Sequence, residues 1–220
     1  MTIVRHALAA LACLFSPTVT FAADRPSSDR QLDEARTAMR IYATCLVDRA
    51  AASRTKAHLL AFLTVAPGSP EGSRAARELI EPDCLRGAAT ATQYVAKLRF
   101  PPDLLRGELF RALYLDLKRS PPRARVTRAE LQPGFALAAT ELVTVLQRFG
   151  DCITAADPTN ADLAVRQAPG NAVETRALNA LAPAMAPCLT EGRQWRFSRA
   201  VLEGVLAEGL YRRATAGQAR

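Results

Sequence analysis

Histidine, tryptophan and lysine are scarce in this 220-residue chain, and their scarcity narrows the chemistry available to it. There are two histidines and one tryptophan, and His6 lies in an N-terminal segment that we expect to be removed. His58 would then be the sole histidine for a catalytic triad or a metal site. Zinc requires three or four clustered ligands, which the sequence does not supply. We therefore expect neither a metal nor a cofactor.

Sequence motifs of the common enzyme classes are also missing. The chain has no G-x-S-x-G elbow, no phosphate-binding P-loop, no G-x-G-x-x-G fingerprint and no C-x-x-C pair. Carboxylate pairs such as Glu203 and Glu208 exist, but a spacing of five residues puts them only roughly on one helix face. An enzyme with an unrecognised carboxylate or His58 site is therefore an alternative hypothesis, with no motif to support it.

The N-terminus has the three-part layout of a secretory signal peptide. Arg5 precedes the apolar run Ala7–Phe15, and small residues precede a cleavage site after Ala22. The run is too short for a membrane-spanning helix, which needs about 20 residues. We expect residues 1–22 to be removed and the mature protein to be periplasmic or secreted, with no transmembrane span. The alternatives are a lipoprotein attached through Cys13 and a core helix formed by the same run.

Four of the five cysteines follow this segment, and an even number in an exported chain indicates two disulfides. An internal duplication predicts how they pair. Cys45 aligns with Cys152, and each is followed by a Pro-Gly pair and then by a second cysteine that precedes a leucine. Equivalent cysteines in equivalent folds should form equivalent bonds, so we predict the pairs Cys45–Cys84 and Cys152–Cys188.

The longest match between the two copies lies near the end of each. Residues 99–114, RFPPDLLRGELFRALY, align without a gap with residues 196–211, RFSRAVLEGVLAEGLY. A glycine inside a helix costs about 1 kcal/mol relative to alanine, so a glycine kept in both copies predicts a close helix contact. We expect each glycine to face the cysteine-bearing helix of its own copy, and the tyrosine seven residues later to be buried with a bonded hydroxyl. These repeat marks are Gly107, Gly204, Tyr114 and Tyr211.

Apolar residues follow a helical period before the first cysteine of each copy, and no segment alternates as a strand would. The sequence therefore predicts an all-α protein with two tandem copies of a disulfide-stapled helical repeat. Each copy has about four helices, and together they form a helical bundle. The copies span residues 23–118 and 134–213, with a Pro/Arg-rich linker at 119–133 and a frayed tail at 214–220.

Basic residues are concentrated in two places, and the chain carries a net charge of +8. One group lies in the linker, and the other surrounds the single tryptophan. Such groups can bind phosphate or anionic lipid headgroups, although charge runs are commonly just solvated. The candidate binding residues are Arg119, Arg123 and Arg125 in the linker and Arg193, Trp195, Arg196 and Arg199 around the tryptophan. Arg99 is a further candidate, because it precedes an aromatic residue at a helix entry as Arg196 does.

These features favour a non-catalytic exported protein that binds a macromolecule or a ligand in the cell envelope. A purely structural envelope component is a third hypothesis. The expected partner is a protein or an anionic component of the envelope. Nucleic acid is not expected, because an exported protein rarely meets it.

Overall fold

The computed structural model describes residues 26–51, 53–66, 69–92, 101–119, 122, 124, 126–131, 141–189 and 195–216. Every regular element within these ranges is helical, and they contain no β-strand. The predicted all-α fold class is confirmed. None of the helices in these ranges is long and apolar enough to cross a membrane. The segment predicted as a signal peptide lies outside the described residues.

Five helices cover the described part of the first half of the chain. Several of them begin with proline. Proline is favourable in the first turn because the N–H groups there have no partner within the helix, so the N–H that proline lacks is not needed. The Ser69 hydroxyl oxygen accepts a hydrogen bond of 2.9 Å from the Gly72 N–H and so caps the third helix. The helices are α1 Pro26–Arg49, α2 Ser53–Leu63, α3 Pro70–Glu78, α4 Pro82–Thr92 and α5 Pro102–Leu117.

Five further helices cover the described part of the second half, with a short 3₁₀ segment at Ala186–Cys188 and additional helical residues at 128–131. The last helix continues to Ala216 and buries Thr215. Part of the tail that was predicted to fray is therefore helical. The helices are α6 Glu141–Ala156, α7 Pro158–Arg166, α8 Ala172–Ala180, α9 Ala182–Met185 and α10 Arg199–Ala216.

One disulfide connects helical segments within each half of the chain. Cys45 of α1 bonds to Cys84 of α4, and Cys152 of α6 bonds to Cys188 at the end of the 3₁₀ segment. Both pairings predicted from the duplication are confirmed. The sequence separations are 39 and 36 residues, for which the chain-entropy account gives about 3.5–4 kcal/mol of stabilisation each. Disulfides are typical of secreted and extracellular proteins.

The second cysteine of each pair lies in a short helical segment of its own, which adds one helix to the four expected in each half. Pro82 begins α4, and Pro183 lies in the first turn of α9. Proline removes a backbone donor and clashes with the preceding turn. Each proline therefore separates the helix before it from the short helical segment that contains or precedes the second cysteine.

Helices α5 and α10 form the centre of the bundle and pack against each other, with α1 against α5 and α6 against α10. The helical spacing of residues 99–114 and 196–211 predicts a buried leucine stripe in each segment. All six of these leucines are in the core, which is one continuous apolar cluster. These leucines are Leu105, Leu109, Leu113, Leu202, Leu206 and Leu210.

Gly107 of α5 and Gly204 of α10 face each other where these two helices cross. A Cβ built on Gly107 would lie 2.6 Å from the Gly204 Cα, and one built on Gly204 would lie 2.8 Å from the Gly107 Cα. The prediction that each glycine faces the cysteine-bearing helix of its own copy is therefore wrong. The two predicted copies instead pack through their last helices. Both positions are glycine because helix backbones can approach this closely only where neither helix carries a Cβ.

Small residues also allow a close contact between α10 and α6, the helix that carries Cys152. A Cβ on Gly209 of α10 would lie 2.8 Å from the carbonyl oxygen of Gly150 in α6. In the sequence alignment these positions correspond to Ala112 and Ala43 of the first half, and both alanines are buried. The close approach that we predicted between first and last helices therefore exists, but at different residues.

Candidate functional site

Charged side chains are buried along α5 and α10 because neighbouring helices cover both on several faces. Arg106, Glu108 and Asp116 of α5 and Glu203 and Glu208 of α10 are all at most 8% exposed. Burying a charge is unfavourable unless it is paired and hydrogen-bonded. Asp116 accepts a hydrogen bond from the Ala124 N–H and pairs with Arg119. The other four residues belong to two ion-pair clusters, which we call the Glu203 network and the Arg106 network.

The Glu203 network connects four helices. Arg36 and Arg40 of α1 both donate to Glu203 Oε2, and the Arg36 Nη2 distance is 2.6 Å. Arg36 also donates to Glu174 of α8, and Arg40 Nε donates to Glu108 Oε1 of α5 at 3.3 Å. Side chains from both halves of the chain thus meet around a single buried carboxyl group.

The backbone between α7 and α8 is attached to the same network. Arg40 donates to the Gln167 carbonyl, and the Gly170 N–H donates to Glu174 Oε2 at 2.8 Å. Gly170 has a φ of 74°, which favours glycine. Arg111 of α5 donates from Nε to a carbonyl of α7 at 2.7 Å, and burial lowers the pKa of Arg111 to about 10, with the charge of Arg40 adding to the effect.

Glu203 and Glu174 differ in protonation although both are buried. Burial raises the pKa of Glu203 to about 8, the Glu174 carboxylate adds to the rise, and Arg40 and Arg36 oppose it. Burial also acts to raise the pKa of Glu174, but hydrogen bonding to Glu203 and the Arg36 charge outweigh it and lower that pKa. Glu203 Oε1 is buried without a hydrogen-bond partner in the described part of the chain. A hydrogen bond between two carboxyl groups requires a proton on one of them, and the raised pKa of Glu203 assigns the proton to that residue. We therefore infer a neutral Glu203 beside an ionised Glu174 at neutral pH.

This arrangement predicts a pH dependence of stability. A raised folded-state pKa favours the protonated form, so the contribution of Glu203 is complete below its ordinary pKa of 4.5 and is lost as pH rises through about 8. We expect the free energy of unfolding of the wild type to fall between pH 5 and pH 9 in urea titrations. Glu203→Gln, which is neutral at every pH, should flatten this slope.

Glu71→Gln is the matched control, because Glu71 is an exposed glutamate in the first turn of α3. This variant should keep the wild-type slope. Equal slopes for the wild type and Glu203→Gln would contradict the assignment of the proton to Glu203.

The Glu203 network gives no support to a carboxylate-based active site. A general acid or base must come within hydrogen-bond reach of its substrate. The side chains of Glu174 and Glu203 are 0% and 1% exposed, and helices cover them. We therefore interpret this network as a structural connection between helices.

His58, the other residue of the enzyme alternative, lies half-buried on α2. It lines a separate cavity of about 270 Å³ together with Glu78 and Glu81. No hydrogen bond to another described residue orients the imidazole, as a catalytic histidine would require. The described ranges also contain no group of histidine, cysteine and acidic side chains suited to a metal ion.

The Arg106 network lies between α5, α6 and α10. Arg106 Nη2 is 3.1 Å from Glu208 Oε1, and Arg106 Nη1 donates to the Leu63 carbonyl at 2.6 Å. Gln147 of α6 donates from Nε2 to the same Glu208 oxygen at 3.0 Å. Arg212 lies 3.7 Å from Glu208 and donates to the Gln147 carbonyl. Arg212 also pairs with Asp151 at 2.9 Å, so the two arginines of this network face two carboxylates.

A pocket of about 320 Å³ opens against the Arg106 network beside the glycine crossing. This volume lies at the lower end of the range for small-molecule sites, about 300–1,000 Å³. Arg106, Gln147 and Glu208 supply its buried polar groups together with the Trp195 indole N–H, which has no hydrogen-bond partner among the described residues. Asp103 and Arg196 are its exposed charged residues. The rest of its described wall is mostly apolar and consists of Leu146, Trp195, Phe197, Ala200, Val201 and Val205 with Gly107 and Gly204.

Three stacked aromatic rings fix the position of one wall of the pocket. Trp195 stacks on Phe197 with 5.9 Å between centroids and an angle of 2° between planes. Phe197 in turn stacks on Phe149 of α6 at 4.9 Å and 16°. Such offset ring pairs add about 0.5–1.5 kcal/mol beyond their buried area. The segment before α10 is therefore anchored to α6, and Trp195 has a defined place at the pocket.

Two of the candidate binding residues predicted from the sequence, Trp195 and Arg196, line this pocket together with the repeat marks Gly107 and Gly204. The sequence suggested no connection between the two sets. Four of the remaining candidates lie outside the described residues, namely Arg99, Arg123, Arg125 and Arg193.

Two further candidates are not at the pocket. Arg119 follows α5 and pairs with Asp48 and, at 3.5 Å, with Asp116. Arg199 is exposed at the start of α10, with its Nη1 3.4 Å from the Thr175 hydroxyl. Arg119 therefore takes part in a surface ion-pair cluster, whereas Arg199 is an exposed residue beside α8.

The two repeat tyrosines are buried with bonded hydroxyls, as predicted. Tyr114 bonds through its hydroxyl to the Asp162 carboxylate of α7, and Tyr211 donates to the Val126 carbonyl at 3.1 Å. Burial raises the pKa of Tyr114 to about 12, and the hydrogen bond to Asp162 adds to the rise. Both rings therefore have a packing role.

Sequence reasoning missed the buried charges Arg106 and Glu208 at the pocket. One signal was available in α5, where leucine, phenylalanine and tyrosine side chains fall on more than one helix face between residues 104 and 117. A helix that is apolar all round is buried, so the charged residues within it must find partners. The identity of those partners was not available from the sequence.

No family model matches this chain. A search of curated proteins and a search of solved structures also find no match.

Proposed function

We propose that this chain is an exported, non-catalytic helical protein that binds a small ligand in the pocket between α5, α6 and α10. The observation that carries the proposal is the mostly apolar pocket of about 320 Å³, whose buried charges already neutralise one another. A mostly apolar cavity with a few fixed polar groups is the usual form of a small-molecule site.

Binding fits the chemistry of the pocket better than catalysis. Proton transfer needs a group that is free to gain or lose a proton at the substrate. The Glu208 carboxylate at the pocket is instead engaged by two arginine groups and an amide. These contacts favour a fixed ion-pair platform over an acid or base.

Export is the second part of the proposal. Two disulfides and the absence of a membrane-spanning helix in the described ranges fit a secreted protein, and the N-terminal residues have the pattern of a signal peptide. Intact mass of the protein from a native-like host should correspond to a chain that begins at Ala23. A mass that includes residues 1–22 would contradict export by this route, and a lipidated chain beginning at Cys13 would favour the lipoprotein alternative.

The ligand-binding proposal is tested by filling the pocket. Ala200→Phe places a ring in the cavity, and Ala214→Phe makes the same change at an exposed position of α10. We expect 8-anilinonaphthalene-1-sulfonate to bind the wild type saturably with one site and to change the emission of Trp195. Ala200→Phe should weaken this binding at least tenfold, and Ala214→Phe should leave it unchanged. Equal affinity in all three proteins with unaltered circular dichroism would reject the pocket as the site.

A further inference from the structure

We propose that the ligand of this pocket is an anionic amphiphile, with its apolar tail inside the cavity and its single negative headgroup beside Arg196. This inference rests on the proposed function, since it assigns a chemical class to the ligand of the same pocket. The class is defined by a tail without polar groups and by one carboxylate, sulfonate or phosphate at the tail's end.

The interior of the pocket favours an apolar tail. Leu146, Val201 and Val205 supply aliphatic wall, and Trp195 and Phe197 supply aromatic wall. Each methylene group that moves from water to such a surface contributes about 0.8 kcal/mol, which corresponds to about a fourfold gain in affinity. A tail of this kind needs no hydrogen bond from the protein.

The buried ion pair argues against a charged group inside the cavity. Arg106 and Glu208 bond to each other at two positions, and Gln147 adds a third donor to the carboxylate. A ligand charge placed there would compete with a satisfied network and would lose its own hydration. The charged end of the ligand therefore belongs at the mouth.

The exposed side of the pocket favours a negative headgroup. Arg196 lines the pocket and is exposed. The N-terminal end of the 18-residue helix α10 carries partial positive charge. Asp103 is the opposing carboxylate, so Arg196 and the helix dipole together outweigh one acid. The chain's net charge of +8 acts in the same direction at longer range.

The position of Trp195 provides a direct assay, because it is the protein's single tryptophan and it lines the pocket. Decanoate, octanoate and decanol are titrated into the full mature protein below their critical micelle concentrations while Trp195 emission is recorded. Naphthalene-2-carboxylate serves as an anionic probe with a flat aromatic tail. We expect saturable binding of decanoate, and about 15-fold weaker binding of octanoate for the loss of two methylenes.

The headgroup is tested with a charge reversal at the mouth. Arg196→Glu should weaken decanoate binding about threefold to tenfold, because it replaces an exposed ion pair with the ligand's carboxylate by a repulsion between two carboxylates. It should leave decanol binding unchanged, because decanol carries no charge. Arg213→Glu, an equal change at an exposed position near the other end of α10, should alter neither affinity. The relative affinities of decanoate and naphthalene-2-carboxylate show whether the tail is an acyl chain or an aromatic ring. This comparison holds only for a probe whose binding is weakened by Arg196→Glu.

The outcomes separate this inference from the proposed function. If decanol binds as tightly as decanoate and Arg196→Glu changes nothing, while Ala200→Phe still blocks binding, the anionic headgroup is wrong and the pocket is still a ligand site. If Ala200→Phe leaves the affinity of every bound probe unchanged, the proposed function fails and this inference fails with it.

Discussion

Replacement of Gly204 by leucine is expected to destabilise the protein by about 3 kcal/mol, near the upper end for overpacking. The Cβ of any side chain at this position would lie 2.8 Å from the Cα of Gly107. The obstacle is helix backbone, which cannot rotate away as a flexible side chain can. Helices α5 and α10 would have to separate along the centre of the core. Urea unfolding at pH 7 should give a lower midpoint, and Gly107→Leu should have a similar effect.

Gly87→Leu is the matched control, because a Cβ on Gly87 of α4 would meet no atom within 4 Å. Leucine has a higher helix propensity than glycine by about 1 kcal/mol or less, so this variant should be neutral or slightly stabilised. A Gly204→Leu protein that unfolds at the wild-type midpoint would show that the two glycines are not at a tight crossing. They would then be candidates for a binding surface of open backbone.

Loss of the Arg36 guanidinium is expected to cost about 3–5 kcal/mol, the range for breaking one side of a buried ion pair. Arg36 is 6% exposed and donates to both Glu174 and Glu203. Arg36→Met keeps much of the side-chain length but leaves the Glu174 carboxylate buried beside fewer donors. The free energy of unfolding should fall by this amount in urea at pH 7.

Two comparisons make the result specific to buried charge. Arg49→Met removes an arginine whose side chain is 43% exposed and which pairs with Glu81 and Asp83, so it should cost no more than about 1 kcal/mol. The double variant Arg36→Met/Glu174→Gln should recover part of the loss, because both members of the pair become neutral. Equal losses for Arg36→Met and Arg49→Met would mean that the buried network adds little stability.

The candidate pocket was only partly foreseeable. The sequence marked Trp195 and Arg196 as a basic aromatic group, and it marked Gly107 and Gly204 as unusual helix residues. It did not indicate that these four residues meet, since they come from segments almost 100 positions apart. The floor of the pocket depends on Arg106 and Glu208, which bond across 102 residues of sequence. No local pattern connects them.

The sequence alone determined the helical fold class, the two disulfide pairings, the buried leucine stripes and the buried tyrosines. Each of these follows from periodicity, or from a comparison of the duplicated segments, because a helix presents the same face every three to four residues. A periodic pattern tells which face of a helix is buried.

Only the tertiary structure decided which surface covers each buried face. Gly107 marked a close contact, but a missing Cβ is equally suited to any neighbouring backbone, and the neighbour proved to be Gly204 of α10. Arg36 and Glu203 likewise needed partners, and several opposite charges of the chain would have served. The choice among such partners depends on how all the helices pack at once, because contacts between distant segments form together with the core. The pocket is a consequence of that packing. It lies where α5, α6 and α10 meet, beside the point at which α5 and α10 cross through Gly107 and Gly204.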